Sequence, residues 1–269
     1  MPKAKVNETN IYYEVHGRGE PLVLIQGLGG PGAGWFFQIR AFKKHYQVIT
    51  FDNRGIGKTD KSSGPYTIKT MADDTIGLMD YLGIHKAHIL GVSLGGMVAQ
   101  EIAIGYPERV RKLVLACTST GEEEITDIHP EMLRAIGIKE GSTAVDFRSL
   151  DFVKSMSAII SLAFNGRLYR MLLMPISKVY MKFGGVGGYL EQMEAIVGHS
   201  TIDRLHLIEA PTLVITGVED RIVSPHSSEV IASQIPNAKL VEVKGGSHAF
   251  FIEMRGRFNG EVLGFLRNT

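Results

Sequence analysis

Cysteine is almost absent from this 269-residue chain, with Cys117 standing alone. A single cysteine excludes an internal disulfide and any thiolate metal cluster, and it fits a reducing compartment. Its place inside KLVLACTST makes it a buried strand end. Tryptophan is as scarce, with Trp35 only. No apolar run reaches the roughly 18 residues that a bilayer-spanning helix needs. The opening stretch MPKAKVNETN lacks the apolar core of a signal peptide. The expected setting is therefore the cytoplasm, with no membrane partner. Charge of one sign is missing too: 29 Lys and Arg face 28 Asp and Glu, a formal net charge of +1. That balance argues against nucleic acid or an anionic surface as a partner. The histidines show no ligand-like spacing, so neither a metal nor a cofactor is expected.

What the chain does have is alternation. Short apolar runs IYYEV (11–15), PLVLIQ (21–26), QVITFD (47–52), HILG (88–91) and KLVLACT (112–118) read as strands. Helical patterns lie between them at Trp35 to His45 and Ile68 to Leu82. In the second of these, Asp73, Asp74 and Asp80 fall largely outside the apolar face. A second block holds TLVITG (212–217), a helix around Ser227 to Gln234, AKLVEV (238–243) and a helix from Phe258 to Leu266. Such alternation predicts an α/β fold with a mostly parallel sheet covered on both faces. IYYEVHGRGEPLVLI reads as an antiparallel hairpin at the sheet edge, turned by Gly17 to Gly19.

Residues 121–207 interrupt the pattern. They offer helices at 130–137, 151–164, 167–182 and 188–197, and methionines including Met132, Met156, Met171, Met174, Met181 and Met193. This reads as a helical cap, or lid, inserted into a core formed by 1–120 and 208–269. Methionines at helical spacing are usually core, yet they also suit an adaptable apolar substrate wall. The glycine-rich KFGGVGGYL inside it is a hinge or a turn, and no phosphate loop.

HILGVSLGGMVAQEIA (88–103) carries the chemistry. Ser93 stands between Gly91 and Gly95 where a strand gives way to a helix, a turn too tight for neighbouring Cβ atoms. A serine hydroxyl needs a base, the base needs an orienting carboxylate, and the developing oxyanion needs N–H donors. Asp220 follows the strand TLVIT and His248 follows AKLVEV, each on a glycine-bearing loop. Each alone is an ordinary loop residue, but together, at strand ends, they supply the missing parts. The oxyanion donors expected are the Leu94 N–H and the Leu28 N–H of the loop Gln26-Gly27-Leu28-Gly29-Gly30-Pro31. Its glycines, Gly27 and Gly29 among them, let the backbone approach a substrate. Of the remaining histidines, only His199 is kept as a possible substrate contact.

These stretches resemble the α/β-hydrolase-fold serine hydrolases, most of all the carboxylesterase and 3-oxoadipate enol-lactonase branch. The matching pieces are QGLGG with Trp35 and Gln38 downstream, FDNRGIGKTD (51–60), GPYTI (64–68) and GVSLGG. They continue with YPERVRKLVLACT (106–118), APTLVITGVEDRIVSP (210–225) and GGSHAFFIE (245–253). They cover nearly everything outside the insertion and are specific for the fold far more than for the substrate. The resemblance implies that Asp52-x-Arg54-Gly55-x-Gly57 is a structural turn and that the insertion is the family's lid. One departure is Gln26, where the family usually has histidine.

The expected activity is hydrolysis of carboxylic esters of small to medium acyl chains, by Ser93, His248 and Asp220, without a cofactor. Gly27, Gly29, Trp35, Phe164 and Met171 are the expected substrate contacts. A lactonase is the first alternative, and an inward-pointing arginine among Arg134, Arg148, Arg167, Arg170 and Arg204 would favour it. A carbon–carbon bond hydrolase ranks lower, because Ala249 rather than tryptophan follows His248. A perhydrolase reuses the same triad, and a ligand-binding receptor of this fold would keep the triad with little turnover.

Overall fold

The computed structural model describes residues 2–61, 64–121, 152–167, 171 and 186–268. Eight strands form one sheet in the order β1-β2-β4-β3-β5-β6-β7-β8. They are β1 (Lys3–Val6), β2 (Thr9–His16), β3 (Glu20–Ile25), β4 (Tyr46–Phe51), β5 (Ala87–Val92), β6 (Val110–Ala116), β7 (Thr212–Gly217) and β8 (Ala238–Val243). Pairings from β4 through β8 are parallel, and only β1–β2 and β2–β4 are antiparallel. The described helices are α1 (Phe36–Phe42), α2 (Ile68–Tyr81), α3 (Leu94–Gly105), α4 (Phe152–Ala163), α5 (Val186–Ile196), α6 (Pro225–Gln234), α7 (Phe250–Glu253) and α8 (Arg255–Arg267).

Strand alternation divides the core. Val23 and Ile25 face one side with Ile89 and Leu113, packed under α2, α3 and α6. Leu22 and Leu24 face the other with Leu90 and Val114, against Phe42, Phe258 and Val262 of α1 and α8. Both faces of the central strands are apolar, so β5 and β7 are buried along their whole length.

Two expectations are corrected here. β2 and β3 do not form a hairpin, because β4 lies between them, antiparallel to β2 and parallel to β3. Gly17 and Gly19 serve this arrangement. Both have positive φ, and a Cβ on either would press against carbonyls of Lys43, His45 or Tyr46, where the chain enters β4. Asp74 is not on the solvated side of α2. It is buried and takes both arms of Arg54, each at 2.6 Å.

Of the expected insertion helices, 130–137 lies outside the described residues, as does nearly all of 167–182. The other two appear as α4 and α5. The glycine-rich stretch has a use at its second pair: Gly188 sits on the backbone of Gly55 so closely that a Cβ would overlap the Gly55 carbonyl.

Candidate active site

The parallel register brings several strand ends to one edge. Ile25 of β3 pairs with Gly91 of β5, Val92 with Ala116 of β6, and Gly217 of β7 with Val243 of β8. Gln26, Ser93, Cys117, Asp220 and His248 all follow these ends, where open α/β sheets gather their reactive groups.

Ser93 sits between β5 and α3 with φ 54° and ψ −125°, a strained conformation for a residue with a Cβ. The neighbours permit it. A Cβ on Gly91 would collide with the Gly95 carbonyl, and one on Gly95 with the Ile25 carbonyl. Ser93 N–H donates to Ala116 O at 2.9 Å, and the Thr118 hydroxyl donates to Ser93 O at 2.7 Å. The side chain is left half-buried at the start of α3, whose first N–H groups have no intrahelical acceptor. Leu94 is the first of these.

His248 Nδ1 lies 2.8 Å from Asp220 Oδ2. The other oxygen, Oδ1, accepts the N–H groups of Ile222 and Val223 at 2.8 and 3.0 Å. Asp220 is buried, and these three contacts fix its carboxylate and, through Nδ1, the ring of His248. Ser93 and His248 line one cavity of about 200 Å³. Its walls include Leu28, Val92, Phe164, Ile222 and Phe251, and no lysine, arginine or acid lines it among the described residues.

Cys117 Sγ stands within 4.8 Å of the Asp220 carboxylate and a His248 nitrogen, a grouping that could hold a metal ion. Thiol ligation needs the thiolate, yet complete burial pushes the Cys117 thiol well up, and the Asp220 charge adds to this. The Asp220 oxygens are already engaged, so the cluster fits a hydrogen-bonded pair backed by a neutral thiol.

The second loop of the site runs Gln26 to Pro31. The Gln26 side chain folds back so that Oε1 accepts Gly27 N–H at 3.0 Å, while Gly30 and Gly34 leave room for it. Asn53 Nδ2 donates to Gln26 O at 3.2 Å, and Asp52 Oδ1 accepts Gly32 N–H at 2.7 Å. Asp52 Oδ2 accepts Lys58 N–H, and Gly57 leaves space for that carboxylate. The Asp52–Gly57 turn thus holds the loop in place.

A family model described as alpha/beta hydrolase fold matches residues 20–135 and 171–254. The chain belongs to the α/β-hydrolase family. A putative carbamate hydrolase of Azorhizobium caulinodans is 30% identical, covering 98% of each chain. The enol-lactonase of Burkholderia xenovorans is 27% identical, with TM-score 0.84, over 99% of this chain and 100% of that one. A meta-cleavage product hydrolase of Pseudomonas fluorescens is 26% identical, with TM-score 0.81, over 99% and 97%. Three different names on so similar a frame fix the α/β hydrolase and leave the scissile bond open.

Within this α/β hydrolase, Gly27, Leu28 and Phe164 lie in the cavity wall. Gly29 lies beside it, against the ring of Tyr189. Two expected contacts are corrected. Trp35 is fully buried in the core, its ring tilted against Phe251 at 5.3 Å between centroids, and Phe251 lines the cavity while Trp35 does not. Met171 is 65% exposed and lines no part of it. His199 is buried against Glu101 of α3 rather than lining the cavity, and Arg204 is clamped on the same carboxylate at 2.6 and 3.0 Å. Arg167 is exposed, while Arg134, Arg148 and Arg170 lie outside the described residues. Sequence reasoning missed Tyr189, Ile159, Ile222 and Phe251 in the wall. Phe251, three residues after His248 and on the short helix α7, was the most legible of these.

Proposed function

We propose that this protein is a serine hydrolase of carboxylic esters with small to medium, uncharged acyl groups. One observation carries the reading: Ser93 on its strained turn and His248, held by buried Asp220, line the same apolar cavity. In this reading Ser93 Oγ attacks the ester carbonyl and passes its proton to His248. The N–H groups of Leu28 and Leu94 hold the oxyanion, and Asp220 stabilises the imidazolium that forms. His248 returns the proton to the leaving alcohol. Water then attacks the acyl-enzyme by the same route, and no cofactor is needed. Residues 121–207 act as the lid over the core of 1–120 and 208–269, and the protein works in the cytoplasm.

The cavity wall supports uncharged substrates. A carboxylate there would meet no described cation, and burying it unpaired is strongly unfavourable. A second reading, hydrolysis of a lactone as a cyclic ester, draws on the likeness to the Burkholderia enol-lactonase along the whole chain. The test is a series of p-nitrophenyl esters of rising acyl length beside neutral and carboxylate-bearing lactones. The ester reading expects kcat/KM to climb over the first few carbons, by roughly 0.8 kcal/mol per buried methylene, and then to fall. Carboxylate-bearing lactones outpacing neutral esters by about an order of magnitude would replace it with the lactonase reading. Binding without steady-state turnover of any ester would favour the receptor.

A further inference from the structure

Among the described residues, the contacts between the insertion and the reactive edge of the sheet include two to main-chain N–H groups beside the site. The end of α4 offers Ala163 O to Ala249 N–H at 2.9 Å, one residue past His248. Helix α5 offers Gln192, completely buried, whose Oε1 accepts the Gly29 N–H at 2.8 Å. Gly29 belongs to the loop that carries the Leu28 N–H, and it stands in the left-handed region at φ 65°.

We propose that Gln192 is a positioning residue for the oxyanion hole, reaching from the insertion to hold the Leu28–Gly29 peptide in its working orientation. The inference rests on the acyl-transfer reading above. A glycine with positive φ has several backbone states of similar energy, so its conformation must be chosen by contacts. The ends of the loop are chosen from below, by Asn53 on Gln26 O and by Asp52 on Gly32 N–H. Its middle carries the Gly30 N–H bond to Gly27 O at 3.0 Å and the bond to Gln192. Fixing Gly29 N–H fixes the rotation about Leu28, and with it the neighbouring peptide whose N–H is to meet the oxyanion.

Helix α5 is itself seated firmly enough to do this. Gly188 lies against Gly55, and the Tyr66 hydroxyl is shared between the carbonyls of Arg54 and Gly188 at 3.3 Å each. Tyr189 of the same helix touches Gly29 and lines the cavity. Loop and helix therefore bear on one turn, 53–57. The insertion is thereby tied to the chemical step as well as to substrate choice.

The experiment replaces the acceptor and keeps the volume, as Gln192→Met, and compares it with Gln192→Glu, which keeps a carboxyl oxygen facing Gly29. Steady-state hydrolysis of a p-nitrophenyl ester gives kcat and KM. Binding of a trifluoromethyl ketone reads the oxyanion hole directly. Ser93 Oγ adds to its carbonyl carbon, the C=O π pair moves onto oxygen, and the serine proton goes to His248. The expected result for Gln192→Met is a kcat lower by about 10- to 100-fold with KM within about threefold. Affinity for the ketone should fall in parallel with kcat/KM, and Gln192→Glu should recover most of kcat. If the methionine variant does not fold, Gln192→Asn, one methylene too short to reach, should show the same loss. Unchanged kcat in these variants overturns the proposal. So does an equal loss of kcat, KM and thermal stability in Gln192→Met and Gln192→Glu alike. Failure of the underlying reading looks different, since Ser93→Ala would then keep its activity.

Discussion

The turn around Ser93 and the loop from Gln26 to Pro31 face the same cavity, but their backbones are held by different means. The Ser93 turn is set by its own neighbours: Gly91, Gly95 and Gly96 leave no Cβ atoms to collide, and β6 takes the Ser93 N–H. The Gln26–Pro31 loop is set from a distance, by Asp52 and Asn53 of the turn after β4 and by Gln192 of α5, two separate parts of the fold. A locally determined element can be recognised from a short stretch of sequence. One held by remote side chains is invisible until those parts are brought together.

The sharpest way to break the first element is Gly95→Ala. The added Cβ would overlap main-chain atoms of Ile25 and Gln26, which cannot swing aside as a side chain can. A loss of about 4 kcal/mol or more is expected, read as the urea midpoint, or no folded protein at all. A near-neutral result would mean that the two strand ends are less tightly apposed than described.

A somewhat smaller effect is expected at His199, buried against Glu101 of α3. Burial, with Arg204 nearby, lowers the pKa of His199 from 6.5 to about 4, although Glu101 pulls the other way. His199 is therefore neutral in the fold, while the unfolded chain takes up its proton first as pH falls. The contribution is complete above pH 6.5 and is lost on the way down to about 4, of order 3 kcal/mol. Chemical denaturation across that window should show the slope, and His199→Gln should flatten it. An unaltered slope would assign the acid sensitivity to other groups.

Asp52→Asn probes the remote support of the loop and carries the smallest stability change. One of the N–H groups of Gly32 and Lys58 then faces an amide NH₂ in place of an acceptor, at about 2 kcal/mol. Because Gly32 closes the loop, kcat should fall by about tenfold as well. A stability loss with kcat intact would separate the turn from any role of the Gln26–Pro31 loop in turnover.

Much of the frame was legible in the sequence, because a strand buried on both faces cannot avoid reading as an apolar run; β3 to β7 announced themselves this way. Strand partners were less accessible. PLVLI looks the same whether it pairs with β2 or with β4, so the hairpin was misread, and the four-residue edge strand Lys3–Val6, half exposed, gave no run at all. Ser93, Asp220 and His248 stood out because each follows a strand on a glycine-bearing turn. Trp35 was misassigned because an aromatic near a glycine loop reads alike in a core or a cavity wall. Gln192 lies 163 residues from Gly29 in sequence, and nothing local marks it. The doubled glycine at 187–188 was the nearest hint that α5 comes close to another backbone.

The central claim is that Ser93 is the nucleophile. Its most direct test is steady-state turnover of a p-nitrophenyl ester by Ser93→Ala, purified from a host without esterases and checked for folding by circular dichroism. The account predicts a fall on the order of 10⁶-fold, to the level of the solvent reaction plus residual oxyanion stabilisation. A folded Ser93→Ala protein that kept more than about a few per cent of wild-type turnover would contradict it, since triad members act as a unit.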